Sequence, residues 1–253
     1  MSVNISVVIP MYNTSRYIIT ALESCVCQSS LPKEVIVVDD CSSDNSLAIV
    51  REWKEKYRGP VKIIIKKLGI NSGPSKARNL GWEIAQSPYV AFLDADDRFV
   101  EKKLERLVLT LREKGDIVLL AHRYALREET LRNSSLEKVS TRALLIKNLF
   151  ATPAVVVKRS IPERFDENMR YTEDHDLWLR VTQKYDKTYF LDVVLTILDR
   201  PVNSLGGQSA NLWEMRKGEL VMYKKYCMHK GRVWQLPFLV LLSLSKHFYK
   251  WVW

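Results

Sequence analysis

The chain has 253 residues, 47% of them hydrophobic and 27% charged, so it can bury a sizeable core and does not have the composition of a disordered chain. Its formal charge of +10 is uneven: residues 1–100 carry 12 basic and 11 acidic side chains, residues 101–200 carry 19 and 16, and the last 53 residues carry 8 and 2. A nearly neutral body with a basic tail argues against nucleic acid as the partner and for an anionic surface near the C-terminus, a membrane first of all.

The opening, MSVNISVVIP, lacks the basic start and long apolar run of a signal peptide. No stretch reaches 18 uninterrupted apolar residues, so no transmembrane helix is expected. The four cysteines have the spacing of neither a disulfide framework nor a zinc site, Cys25 and Cys27 lying two apart without histidine partners. These features point to a reduced, cytosolic compartment.

Over the first 122 residues short β-branched runs alternate with helical patterns. Strands are expected at Ile5–Ile9, Glu34–Asp39, Val61–Ile65, Tyr89–Asp94 and Asp116–Ala121. Helices are expected at Arg16–Gln28, Asn45–Tyr57, Ser75–Ala85 and Glu101–Arg112, with Ser15, Asp44 and Pro74–Ser75 as start signals. The second half is less regular: a helix at Thr141–Phe150, a strand at Thr152–Lys158, a helix at Asp174–Tyr185, and strands at Tyr189–Leu191 and Val194–Leu198. The pattern predicts an α/β fold, a mostly parallel sheet covered by helices on both faces. One continuous domain over 1–207, with a change of character near 122, is followed by a basic, amphipathic helical tail over 208–253. In such sheets ligands bind beyond the carboxyl ends of the strands.

Polar residues gather at those ends. The first strand runs into Pro10-Met11-Tyr12-Asn13, the second into Asp39-Asp40-Cys41-Ser42-Ser43-Asp44, and the fourth into Asp94-Ala95-Asp96-Asp97; Asn71–Asn79 precede the third helix. Carboxylates that leave a buried strand together repel one another unless a cation intervenes, and Mg²⁺ or Mn²⁺ with open positions for phosphate oxygens would satisfy them. Taken alone, the same acids also suit the start of the helix near Glu101.

The ordered set ISVVIPMYN, VIVVDDCSSDNS, NSGPSKARNLG and YVAFLDADDRF resembles the inverting glycosyltransferases of family 2 over about residues 3–200. The resemblance implies the GT-A fold, a nucleotide-sugar donor bound by the first half (about 1–122), an acceptor half (about 123–207), and a divalent metal. By resemblance Pro10 and Tyr12 line the nucleotide base pocket and Asp40 accepts a hydrogen bond from the base, with Asp39 as the neighbouring alternative. Arg78 corresponds to the family arginine near the base and the acidic loop, Asp94 to a ribose or metal contact, and Asp96 to the metal ligand that bridges the diphosphate. From the residues alone, Tyr12 also fits ordinary packing, Asp44 a helix cap and Arg78 a helix-surface charge. Cys41 stands where the family usually has glycine, which suggests an altered turn.

Farther on, Tyr171-Thr172-Glu173-Asp174-His175-Asp176 resembles the family's ED motif, and Asp174 takes the part of the base that deprotonates the acceptor hydroxyl. Glu173 and Asp174 equally suit the first turn of a helix. His175 is read as a satisfied surface residue. No histidine follows Arg200 in Asp199–Ser204, so a third metal ligand is not expected there, and Arg200 is a candidate diphosphate contact. Uridine is the base implied by family habit, and a glycan or glycolipid of surface polysaccharide or lipopolysaccharide the acceptor. In the tail, Lys224, Lys225, Lys230, Arg232, Lys246 and Lys250 flank the apolar run Leu236–Leu244, which is too short to span a bilayer, and Trp251-Val252-Trp253 close the sequence. That suits an interfacial helix on an anionic leaflet or a helix packed on the domain. The rival functions are a sugar-phosphate nucleotidyltransferase, a dinucleotide oxidoreductase and a non-catalytic binding module. The first two lack their glycine-rich loops here, and the third leaves the converging carboxylates unexplained.

Overall fold

In the computed structural model, which describes residues 3–127, 135–199 and 211–252, β1 (Ile5–Met11) and β2 (Glu34–Asp39) are covered on both faces. Val7, Ile9, Val35 and Val37 enter one core, while Val8, Ile36 and Val38 enter the other. A strand buried on both sides has no solvent face to mark with polar residues, hence the unbroken apolar runs.

β3 (Lys62–Lys67), β4 (Tyr89–Phe92), β5 (Arg98–Phe99), β6 (Leu119–Ala125), β7 (Leu136–Lys138), β8 (Val155–Lys158) and β9 (Thr188–Ile197) complete one sheet in the order β3-β2-β1-β4-β8-β6-β9-β5, with β7 also on β9. Parallel pairing joins β1 to β2 and β4, β2 to β3, and β6 to β9; β8 runs against both β4 and β6. The strands β1, β2, β3, β4, β6 and β9 therefore point the same way, and their carboxyl ends share one edge.

Helices α1 (Ile18–Val26), α2 (Ser46–Lys56) and α4 (Lys103–Lys114) close one face. The other is closed by α3 (Pro74–Ile84), α5 (Thr141–Ile146), α6 (Glu173–Lys184) and α7 (Leu212–His229), with α8 (Leu236–Val252) packed on α7. On this second face Trp82, Phe92, Phe165 and Trp178 meet edge to face, centroids 5.3–6.3 Å apart, tying α3 and β4 to the segment after β8 and to α6. The tail is packed on the body: Met222, Tyr223, Tyr226 and Cys227 of α7 are buried in the same core.

Several boundaries differ from the sequence reading for identifiable reasons. Helix α1 starts at Ile18, capped at Tyr17 rather than Ser15, after a turn in which the Tyr17 and Ile18 N–H groups donate to the Thr14 carbonyl (2.9 and 3.1 Å). Strand β4 ends at Phe92, where the acidic segment turns, the Asp97 N–H donating to the Asp94 carbonyl (3.0 Å). Pro153 sets a 3-10 turn at Thr152–Ala154 before β8. Helix α5 stops at Ile146. The two short strands expected at 189–198 are one strand, β9, whose register on β6 jumps from Leu191 to Val194 and on to Thr196; the Asp192 N–H inside this irregularity is taken by the Ser135 carbonyl (2.9 Å). Arg200, Pro201–Ser204 and Trp253 lie outside the described residues.

Candidate active site

The turns after β1 and β2 are knitted together at the carboxyl edge. Asn13 Oδ1 accepts the backbone N–H groups of Ser43 (2.9 Å) and Asp44 (3.3 Å), and the Asn13 N–H donates to Ser42 Oγ (3.1 Å). Asp44 stands one residue before the α2 cap, Asn45, and its Oδ1 accepts the Ser46 N–H at 2.9 Å. Cys41 has φ 62°, an angle that glycine adopts freely and that costs another residue about 1–2 kcal/mol. The cysteine thus bears strain where the family's glycine would not. Pro10 is half-buried on β1, and Tyr12 beside it is 48% exposed, so its ring is not ordinary core packing.

Asp40 is only 3% exposed and both its oxygens are in use: Oδ1 accepts the Ser72 N–H and Oδ2 the Gly73 N–H, each at 2.7 Å. It anchors the loop before α3, so any contact with a base would use lone pairs these donors leave. Asp39 is fully buried, with Oδ1 accepting the Ser42 N–H (3.2 Å) and Oδ2 without a partner. Gly73 has φ 87°, closed to side-chain-bearing residues, and Pro74 then starts α3.

This entry angle aims Arg78 inward. It is not a helix-surface charge: the side chain is buried, Nη2 donates to Asp94 Oδ1 (2.8 Å), Nη1 donates to Glu173 Oε1 (3.1 Å), and the guanidinium lies 5.4 Å from the Phe165 ring centroid. Burial opposes its charge, but the carboxylates of Asp94 and Glu173 outweigh burial and hold it protonated, its pKa raised. One guanidinium therefore joins the acidic segment after β4 to the start of α6.

In the acidic segment Asp94 and Asp96 are half-buried and Asp97 is buried. Asp97 Oδ1 accepts the Asp199 N–H (3.1 Å), and burial, reinforced by the charges of Asp94 and Asp96, pushes its carboxyl up to about 8. Asp96 and Asp97 line a cleft of about 290 Å³ together with Tyr17, Thr20, Arg98 and Leu126. Among the described residues no three Asp, Glu, His or Cys side chains converge as a ready-made metal cage. The donor set still fits a hard divalent cation: Mg²⁺-like ions are commonly held by one or two carboxylates plus ligand phosphate oxygens, and crowded, mutually repelling acids favour a cation between them.

The ED pair stands at the start of α6 after Thr172, a left-handed residue (φ 59°) whose hydroxyl donates to the Tyr171 carbonyl (2.6 Å). Glu173 is buried; burial and the Asp174 charge raise its carboxyl to about 7, against the downward pull of Arg78. Asp174 is half-buried, Oδ2 accepting from Asn148 Nδ2 (3.0 Å) and Oδ1 from the His175 N–H (2.7 Å). His175 is satisfied, as expected, but it is not on the surface: it is 4% exposed, its Nε2 meets the Leu144 carbonyl (2.5 Å), and burial lowers its pKa. Two neighbours of Asp174 went unnoticed in the sequence. Asn148 steadies its carboxylate, and Tyr124, at the end of β6, has its phenol pKa raised by burial and by the Asp174 charge. Neither lies in a recognisable motif; Tyr124 was signalled only by its place at a strand's carboxyl end.

Two acidic segments thus stand on the carboxyl edge of a mostly parallel sheet, joined by one buried arginine. The sequence profile of glycosyl transferase family 2 matches residues 6–175, and the chain belongs to that family. It is 32% identical over 191 residues to an uncharacterised glycosyltransferase of Rickettsia conorii, covering 71% of this chain but only 30% of that protein. The chain thus spans less than a third of the length of that relative. The putative teichuronic acid biosynthesis glycosyltransferase TuaG of Bacillus subtilis is 28% identical over 226 residues, covering 87% of each chain. Among solved structures, residues 1–349 of Staphylococcus aureus TarS in complex with UDP-GlcNAc superpose with a TM-score of 0.73 at 21% identity, covering 97% of this chain and 73% of that one. No helix among the described residues is long and apolar enough to cross a membrane.

Proposed function

We propose that the protein transfers one sugar, with inversion, from a nucleoside-diphosphate donor, a UDP-sugar first of all, to a hydroxyl of a glycan or glycolipid in cell-surface polysaccharide or lipopolysaccharide synthesis. The observation that carries this reading is Arg78, whose two bonds hold Asp94 and Glu173, and hence the acidic segment and the neighbour of Asp174, on one edge. Donor binding falls to Pro10, Tyr12, Asp40, Arg78 and Asp94. In the reaction the acceptor oxygen forms a bond to the anomeric carbon as the bond to the diphosphate breaks on the opposite face; the hydroxyl proton passes to the Asp174 carboxylate and the nucleoside diphosphate leaves. Asn148 orients that carboxylate. Bound Mg²⁺ or Mn²⁺, held by Asp96 with Asp94 beside it, would supply charge neutralisation at the departing diphosphate. UDP-GlcNAc in the TarS structure and the surface-polymer name of TuaG support the donor and acceptor classes. An anionic membrane face, where lipid-linked acceptors are displayed, belongs to the same reading.

The test is transfer from a panel of UDP-sugars with Mn²⁺ or Mg²⁺, together with thermal shifts by UDP with and without metal. Asp174→Asn is expected to lower kcat by roughly 100-fold or more while UDP still shifts the melting temperature. Asp96→Asn is expected to abolish the metal dependence of that shift. Full activity in both variants would overturn the assignment.

A further inference from the structure

The hairpin of α7 and α8 has an inner and an outer side of opposite character. On the inner side buried Glu219 of α7 accepts from Lys246 Nζ (2.5 Å), Ser243 Oγ (2.6 Å) and the Tyr223 hydroxyl (3.0 Å), and it also pairs with Arg216. All four partners lie on the hairpin, Arg216 and Tyr223 on α7 and Ser243 and Lys246 on α8, and the two bonds from α8 to one buried carboxylate fix the rotation of α8 on α7. The opposite side is then held outward, and it is apolar: Val233 and Trp234 in the 3-10 turn Val233–Gln235, and Phe238 and Leu241 on α8, are 57%, 68%, 66% and 64% exposed. Phe238 and Leu241 stand three residues apart on one face of α8, and Trp234 is exposed in the turn that leads into it. Met228, at the end of α7, is 64% exposed as well.

The charge around the stripe indicates what covers it. After Glu219 the sequence contains no acidic residue, while Lys224, Lys225, Lys230, Arg232, Lys246 and Lys250 are all basic. Lys224, Lys230 and Arg232 are exposed, and no carboxylate of the described residues pairs with them. Protein–protein interfaces are depleted in lysine, whereas a Trp/Phe/Leu stripe rimmed by Lys and Arg matches the boundary between anionic headgroups and acyl chains. We propose that Trp234, Phe238 and Leu241 dock in the surface of an anionic bilayer, with Lys230 and Arg232 on its headgroups. Docking also orients the reaction centre, because α7 is close-packed on the strained turn before Asp174: a Cβ at Gly218 would stand 2.6 Å from the Tyr171 carbonyl oxygen. The inference specifies the membrane part of the proposed function and is independent of sugar transfer, so the two can fail separately.

The experiment is co-sedimentation of the full chain with phosphatidylcholine vesicles and with vesicles containing phosphatidylglycerol. The protein is expected to bind the anionic vesicles, with affinity falling as salt rises. Trp234→Ser/Phe238→Ser/Leu241→Ser should lower binding roughly tenfold or more, and Lys230→Glu/Arg232→Glu by a similar factor with loss of the anionic preference. Leu109→Ser, an exposed leucine on α4, should change nothing. An unchanged urea-unfolding midpoint certifies the folding of each variant, and the charge reversal repeats the test without touching the stripe. Equal binding of the triple variant and the parent overturns the proposal, as does failure of the parent to bind. So does a concentration-dependent dimer that the triple variant abolishes, which would make the stripe a protein interface.

Discussion

Replacing Arg78 by methionine removes the cation that joins Asp94 to Glu173 and leaves the aliphatic bulk beside Phe165. Its two partners are not equally hurt. Asp94, with a third of its side chain exposed, regains water, and that loss is at most about 1 kcal/mol. Glu173 is far more enclosed, and stripping one partner from a buried pair costs about 3–5 kcal/mol when the remaining charge has no escape. Glu173 does have one: its carboxyl sits at about 7 already, so near neutral pH it can take up a proton instead of standing as a bare anion. The expected total is therefore about 2–4 kcal/mol, measured by urea unfolding of the parent and Arg78→Met. If the loss runs through Glu173, then Arg78→Met/Glu173→Gln should lose about 1–3 kcal/mol less than the sum of the single variants. Additivity within about 0.5 kcal/mol would refute the claim that this buried pair joins the two segments. Arg78→Lys, which keeps the charge but reaches one carboxylate at a time, should fold and yet transfer poorly.

Two further outcomes follow from the same region. Gly218→Ala puts a methyl group 2.6 Å from the Tyr171 carbonyl oxygen and 2.7 Å from Thr172 Oγ1, so α7 or the turn must move; overpacking of this kind costs about 1–3 kcal/mol. A fall of several degrees in melting temperature should accompany a lower kcat with an unchanged KM for donor, and an unaltered kcat would show that the turn tolerates displacement. Burial raises the Glu173 carboxyl to about 7 from the usual 4.5, so between those pH values the folded state holds a proton that the unfolded chain has lost. This contribution is complete below pH 4.5 and disappears as pH rises through 7, amounting to at most about 3 kcal/mol. Unfolding titrations should therefore show stability declining across that window, and Glu173→Gln should flatten the decline; parallel curves for parent and variant would remove Glu173 as its source.

The strands of the first half were legible because a strand buried on both faces must be apolar throughout, and the acidic segments because they stand where such strands end. What escaped notice was made by contacts between distant residues. β5 and β7 have two and three residues and exist only through pairing with β9. Lys103 gives no hint in sequence that it is fully buried, its ammonium on the Pro153 carbonyl (2.6 Å) and Thr196 Oγ1 (2.9 Å) and 3.5 Å from the Phe99 ring centroid. A histidine beside three acids at a helix start suggests a surface position, and only the packing of α5 on α6 buries it, with Nε2 on the Leu144 carbonyl. That both Asp40 oxygens accept from the loop before α3 is invisible in sequence, because the donors are backbone N–H groups, which every residue except proline carries.

These contacts share a direction. Asp40, Arg78, His175 and Asn148 each spend hydrogen bonds on holding one segment to another, and the segments they join lie far apart in the sequence. Asp40 reaches the loop before α3, Arg78 reaches both acidic segments, and α7 presses on the turn before Asp174 from beyond residue 211. The motifs therefore specify which groups stand at the sheet's edge, but their mutual spacing is set by a buried arginine and by a helix outside the stretch the family profile matches. A change in α7 can thus reach Asp174 through packing alone, without touching a single motif residue.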